Sequence, residues 1–251
     1  MKQLKVLELF AGTRSIGKAF EEKGHKVVSV EWNKDFEDID EYVDVNTLTA
    51  EYLTNKYGYF DVVWASFDCT TYSVAGISHH RRKNKETGEL EPVSEYAKTC
   101  DTTNQHVLKL IKELNPTYIF IENPRGGLRK MSWIQDIPRY TVTYCKYGDS
   151  RMKPTDIWTN HPNPKFKPMC KNGDPCHVSA PRGSRTPGST QGTKGSIDRS
   201  RIPKLLCEHI VDICEEVYPD YLYEQCKTCK NLYSSLECEM CEDFDMYISN
   251  K

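Results

Sequence analysis

"KQLKVLELFAGTRSIGKAFEEKGHKVVSVEWN" occupies residues 2–33, and its reading decides the fold. An apolar β-rich run closes on Gly12. A short amphipathic helix follows and stops at Gly24, and a second apolar run ends on Glu31. Strand, tight turn, helix and strand in so few residues is the start of a parallel sheet covered by helices. Later segments continue the alternation. "VNTLTAEYLTNKYG" ends on a helical pattern and "FDVVWAS" is a third strand. "SEYAKTCDTTNQHVLKLIKELNP" holds a helix whose apolar stripe is Val107, Leu108, Leu110, Ile111 and Leu114, halted by Asn115-Pro116. "TYIFIEN" and "RYTVTYCKY" read as fourth and fifth strands. The continuous apolar character of these strands fits burial on both faces.

The chain has 251 residues and a net charge of −2. It contains no apolar run of the roughly 18 residues that a membrane span needs. The N-terminus passes straight into a strand, without the regions of a secretory signal, so a cytoplasmic protein is expected. Eleven cysteines in such a protein point to thiol chemistry or metal ligation rather than a disulfide framework. Basic residues collect in "HHRRKNK" (79–85), "RGGLRK" (125–130) and the 181–201 stretch, as expected of one polyanion-facing side.

In an open α/β sheet, ligands sit beyond the carboxyl ends of the strands. Gly12 and Gly17 flank the first such end, where backbone can approach a cofactor closely. Glu31 stands at the second end, where a carboxylate holds ribose hydroxyls, and Trp32 beside it can cover an adenine face. The third strand runs into "SFDCTTYSVAG", which puts Cys69 in a polar turn rather than inside the apolar run. The fourth runs into "IENPRGG", which puts Glu122 at its end. A thiol and a carboxyl placed just beyond two strand ends are candidates for nucleophilic and acid–base roles.

"LELFAGTRSIGKAF", "SVEWN", "SFDCTTYSVAG", "IFIENPRGGL" and "YCKYGDSRMKPTDIW" stand in the order and spacing of the cytosine-C5 DNA methyltransferase family. The chain resembles that family over roughly residues 4–160, with a weaker echo at "RSRIPKLLCEHI". Its short phage- and prophage-type members are the nearest in form.

The resemblance implies a Rossmann-like S-adenosylmethionine-dependent methyltransferase fold, with a mostly parallel sheet and helices on both faces. It implies a cofactor site of Phe10, Gly12, Thr13, Glu31, Trp32, Asp44, Val45 and Ser66. It implies Cys69 as the nucleophile toward C6, Glu122 as the partner of N3, and Asn123 as the brace of the Cys69 turn. Lys153, or else Arg151, takes the place of the family's base-steadying arginine. Three departures stand out. Thr13-Arg14-Ser15 replaces a second glycine, so that Arg14 either swings outward or alters how the methionine carboxylate is held. Asp68 replaces the proline before the cysteine, and a neighbouring carboxylate raises a thiol pKa. The "RSRIP" segment lacks the family's Asn-Ser, with Ser200 as a partial stand-in. Asp68 either caps the following turn through Thr70 or Thr71, or slows or alters the chemistry, or marks a copy that binds without turnover.

A duplex hides its cytosines, so the enzyme must extrude its base. Ser73, His79, His80, Arg81, Arg82, Arg125, Arg182 and Arg185 are the expected nucleic-acid contacts. Double-stranded DNA is the expected partner. RNA, especially tRNA, remains an alternative because a small recognition region also fits a structured RNA. No membrane contact and a monomer are expected. The likeness to phage enzymes places the protein in a bacterial host, protecting DNA against restriction.

The expected organisation is a catalytic domain over 1–160, a recognition-like loop over 161–198, a returning helix over 199–218 and a tail over 219–251. In the tail, Cys226-x-x-Cys229 and Cys238-x-x-Cys241 have the pairing of a four-thiolate structural zinc site. The surrounding Glu237, Glu239, Glu242, Asp243 and Asp245 argue against phosphate binding there. Cys170, Cys176 and His177 form a second, irregular ligand set that needs a fourth member from elsewhere, for example His161.

Overall fold

The computed structural model describes residues 2–178 and 196–216. Arg182, Arg185, Cys226, Cys229, Cys238 and Cys241 therefore lie outside the described residues. The strands are β1 (Lys5–Leu9), β2 (Lys26–Glu31), β3 (Glu41–Tyr42), β4 (Val62–Ser66), β5 (Arg81–Lys83), β6 (Leu90–Pro92), β7 (Tyr118–Pro124), β8 (Arg139–Thr143) and β9 (Pro154–Thr159). The helices are α1 (Ser15–Glu22), α2 (Ala50–Tyr57), α3 (Ile77–His80), α4 (Glu95–Leu114), α5 (Ser196–Ser200) and α6 (Lys204–Glu215).

Seven strands form one sheet in the order β3-β2-β1-β4-β7-β9-β8. Pairing is parallel from β3 through β7, while β9 is antiparallel to both of its neighbours. The order reverses between β1 and β4, which makes that crevice the natural ligand site. The expected fold class is borne out. Two details differ from the sequence reading. β9 carries no clear strand signal in the sequence, because "PTDIWT" neither alternates nor runs continuously apolar and starts on proline. The fifth strand stops at Thr143, where Tyr144–Tyr147 turn as a 3-10 helix ending on Gly148 at φ 87°.

Side chains alternate across the sheet with the strand period. Leu7, Leu9, Val63, Ala65 and Ile121 face a core shared with Leu53 of α2 and Val107, Leu110 and Ile111 of α4. Val6, Val62, Trp64 and Phe120 face the other core, shared with Ile16 and Phe20 of α1 and Leu206, Ile210 and Val211 of α6. Each of the valine, leucine, isoleucine and phenylalanine side chains contributes about 1.5–3 kcal/mol by burial. Truncating wholly buried Trp64 to alanine would cost about 3–5 kcal/mol.

Glu8 shares the Val6 face and points at the start of α1. Its Oε1 accepts a hydrogen bond from the Ile16 backbone N–H at 3.2 Å, where α1 has no side-chain cap of its own. Burial raises its pKa to about 7. A Cβ on Gly17 would lie 2.5 Å from Glu8 Oε2. The bare backbone of Gly17 thus leaves room for this internal carboxylate.

Candidate active site

β4 and β7 are in parallel register, with Ser66 opposite Glu122. The thiol-bearing turn and the carboxylate thus leave adjacent strands at the same level. The Phe67 N–H donates to the Glu122 carbonyl at 3.3 Å. Asn123 Nδ2 donates to the Phe67 carbonyl at 2.9 Å. The turn closes on itself, with the Tyr72 and Ser73 N–H groups donating to the Cys69 carbonyl at 3.1 and 2.8 Å. Gly127 N–H donates to the Tyr72 carbonyl at 2.7 Å, and a Cβ on Gly126 would meet that same oxygen at 2.3 Å. The glycines after Pro124 let the two loops touch.

Asp68 turns away from the thiol. Its Oδ1 accepts from the Thr70 N–H at 2.7 Å, an Asx turn. Its Oδ2 accepts from the Tyr96 hydroxyl on α4. Cys69 itself is partly exposed. Its pKa is pushed up to about 11, first by burial and then by the charges of Glu122 and Asp68, with Lys153 opposing. These surroundings favour the neutral thiol form of Cys69 at neutral pH.

Glu122 is buried. Burial raises its pKa, Lys153 and a hydrogen bond from Tyr144 pull it down, and Asp156 raises it. The Tyr144 hydroxyl donates to Glu122 Oε1 at 3.0 Å. Lys153 Nζ lies 4.6 Å from the centre of the Tyr144 ring, on a backbone with φ 25°. Arg151 instead ion-pairs with Asp149. Of the two expected cations, Lys153 joins the group and Arg151 is engaged elsewhere. Tyr144 was missed, because nothing in "TVTYCKYG" separates one tyrosine from the other until the chain turns after β8.

At the β1 and β2 ends, Phe10 and Gly12 both adopt positive φ, 56° and 47°. Glu31 accepts from the Gly12 N–H at 3.1 Å and from the Trp32 and Asn33 N–H groups at 3.0 Å. Trp32 is 71% exposed. Thr13 shares a hydrogen bond with Ser15 at 2.9 Å. Asp44 is exposed and caps the turn at Asn46, while Val45 beside it is buried. The Ser66 hydroxyl accepts from Trp64 Nε1 at 2.8 Å. The Phe10 and Phe67 rings meet edge to face at 6.0 Å, linking the cofactor loop to the cysteine turn. Arg14 does not swing outward: it is buried and pairs with Glu21.

The segment after the turn is more ordered than a loop. It holds α3 and the β5–β6 hairpin. His79 and Arg82 are exposed, and Ser73 is half-buried. His80 Nδ1 shares a hydrogen bond with Ser94 Oγ at 2.8 Å. Arg81 requires correction as a phosphate contact. Its side chain is buried, bonded to both oxygens of Asp101 and to Thr71, and its guanidinium lies 4.0 Å from the centre of the Tyr72 ring. The planar fork of arginine and an acid on α4 make it an internal strut. Arg125 is exposed.

His161 also requires correction. Its Nε2 contacts the Ile213 carbonyl at 3.0 Å, and it is Cys145 that joins Cys170, Cys176 and His177.

The model of the C-5 cytosine-specific DNA methylase family matches residues 4–132. The chain belongs to this family. A relative named "Probable DNA (cytosine-5)-methyltransferase", from Frog virus 3, is 31% identical over 232 residues, covering 84% of this chain and 100% of the relative. Among solved structures, the Entamoeba histolytica methyltransferase EhMeth matches at TM-score 0.46 and 14% identity, over 63% of this chain and 53% of its own. A mutant of Spodoptera frugiperda DNMT2 matches at TM-score 0.42 and 15% identity, over 62% and 49%. The chain thus spans about half the length of these solved structures. Among the described residues, no helix is long and apolar enough to cross a membrane.

Proposed function

We propose that this C-5 cytosine methylase methylates C5 of a cytosine extruded from duplex DNA, through a transient bond between Cys69 and C6. The observation that carries this reading is the shared level of the Cys69 turn and Glu122, set by the Ser66–Glu122 register and braced by Asn123.

Cytosine C5 is a poor nucleophile until sulfur adds to C6. With the Cys69 pKa near 11, only about one thiol in ten thousand is ionised at pH 7. Addition must therefore be coupled to proton movement: the thiol proton passes to water as sulfur attacks C6, and one is regained when the S–C6 bond breaks. As the S–C6 bond forms, electron density moves into the ring toward N3. Glu122, with its raised pKa, holds a proton at N3 and thereby removes one of the charges that oppose the thiolate. Tyr144 keeps one carboxyl oxygen engaged, so that the other faces the base. Lys153 offsets the negative charge on both partners. C5 then takes the methyl group. Water or a nearby base removes the C5 proton, and the S–C6 bond breaks, restoring the thiol and the aromatic ring.

The methyl donor fitting the β1–β2 end is S-adenosylmethionine, which when bound supplies an electrophilic methyl sulfonium. Three backbone N–H groups fix Glu31 while leaving lone pairs for ribose hydroxyls. The exposed Trp32 offers an unused aromatic face. Phe10, Gly12, Thr13, Asp44, Val45 and Ser66 complete the proposed lining. Ser73, His79, His80, Arg82 and Arg125 are the proposed contacts to DNA; Arg182 and Arg185 complete the set. The Cys226, Cys229, Cys238 and Cys241 tail is proposed as a structural zinc site, and protection of viral DNA from restriction in a bacterial cytoplasm as the biological role.

The test is incubation with labelled S-adenosylmethionine and duplex DNA containing 5-fluorocytosine. A denaturation-resistant adduct mapping to Cys69 is expected. DNA binding without an adduct would overturn the enzymatic reading, and preferential methylation of tRNA in competition would overturn the DNA reading. Bisulfite sequencing of DNA from expressing cells, beside a Cys69→Ala control, gives the sequence context.

A further inference from the structure

We propose that Cys145, Cys170, Cys176 and His177 bind one zinc ion, which clamps the segment leading into the recognition region onto the wall of the active site. Their four ligand atoms all lie within 4.8 Å of one another. The Sγ atoms of Cys145 and Cys170 are 3.1 Å apart, and those of Cys145 and Cys176 3.5 Å. His177 Nδ1 is 3.7 Å from Cys170 Sγ and 3.8 Å from Cys176 Sγ. Tetrahedral zinc with bonds of about 2.3 Å to sulfur and 2.0 Å to nitrogen spaces its ligands about 3.8 Å and about 3.5 Å apart. The two sulfur–nitrogen separations lie close to that spacing, the two short sulfur–sulfur separations lie inside it, and all are held within 4.8 Å. A separation of 3.1 Å is also far beyond the roughly 2.05 Å of a disulfide. Three thiolates and an imidazole form a soft donor set that selects zinc over magnesium or calcium.

The local chain is built to deliver these ligands. Between Cys170 and Cys176, Gly173 takes φ 92° and Asp174 receives the Lys171 N–H at 2.8 Å, so the chain doubles back. The Cys170 N–H donates to Thr143 Oγ1 at 3.0 Å, and the Val178 N–H to the Ser150 carbonyl at 3.2 Å. Residues 161–178 contain no helix or strand, so a metal would supply the cross-link that regular structure does not. Cys145 follows Tyr144, the residue bonded to Glu122. The ion would tie the entry to the recognition region to the catalytic wall through one peptide bond.

The experiment is metal analysis of the full chain, purified under reducing conditions, alongside Cys170→Ser, Cys176→Ser and a tail variant, Cys226→Ser. We expect Cys170→Ser and Cys176→Ser each to lose one equivalent of zinc relative to wild type, whatever the tail contributes. In wild-type protein, peptide mapping should show half-buried Cys176 alkylated at least tenfold faster once a chelator has stripped the metal. That second measurement stands even where a variant fails to fold. Unchanged zinc in both cysteine variants, Cys176 labelling indifferent to the chelator, or a Cys145–Cys170 disulfide in freshly purified protein would each overturn the proposal. None of these readouts depends on methyl transfer.

Discussion

Two groups of cysteine sit on opposite sides of Glu122, and they differ in everything except the element. Cys69 is one thiol in a polar turn, partly exposed, with carboxylates as its nearest charges. Cys145, Cys170 and Cys176 are three thiols drawn together around an imidazole. The first environment suppresses ionisation of a lone, partly exposed sulfur. The second sets four converging donor atoms within 4.8 Å of one another. What a thiol does is decided by its neighbours.

That contrast can be broken by mutation. Cys69→Ala should abolish methyl transfer and adduct formation, measured with labelled cofactor, while Tm moves by less than about 2 °C, since removing one small atom from a partly exposed turn costs little packing. Glu122→Gln should lower kcat by about 10²–10⁴-fold, the usual span for a lost acid–base group; retained activity would remove Glu122 from the chemistry. Cys170→Ser should do the reverse of Cys69→Ala. Its main effect should be a fall in Tm of about 5–10 °C, corresponding to roughly 2–3 kcal/mol in a domain of this size. Tyr144→Phe removes one hydrogen bond to a charged oxygen, so a loss of about tenfold in kcat is expected. Because that bond holds the Glu122 pKa down, the alkaline limb of the pH–rate profile, where Glu122 loses its proton, should move to higher pH.

The smallest effect is the most diagnostic of Asp68. Its charge raises the Cys69 pKa, so Asp68→Asn should keep the turn cap and speed alkylation of Cys69 by about two- to fivefold at pH 8. In both proteins the alkylation rate should climb with pH until about pH 11, because only the thiolate reacts. An unchanged rate would mean that Asp68 is screened from the sulfur by its contacts with Thr70 and Tyr96.

Much of the parallel half of the molecule was legible in the sequence. Continuous apolar runs announced β1, β2, β4 and β7, and the stripe of α4 is buried as its spacing demands. Cys69, Glu122 and Glu31 were visible because they interrupt apolar strands at their ends, where a polar residue has no packing reason to be. The antiparallel half was less legible. β9 has a mixed pattern, Tyr144 looks like its neighbours, and Arg81 sits in a basic block that reads as surface. In each case the deciding partner is distant in the chain: Glu122 for Tyr144, Asp101 for Arg81, Cys145 for Cys170.

The alternation of strands and helices, a thiol and a carboxyl just beyond the ends of two apolar strands, and the resemblance to the family followed from the sequence alone, because each is written in local periodicity and short segments. Which cation joins Glu122, which basic residue is an internal strut, where Asp68 points and which residue completes the ligand set around Cys170 were decided only by the tertiary structure. Those outcomes depend on contacts between segments that no local pattern records, and a charged or thiol group takes its role from whatever the fold brings within a few ångströms of it.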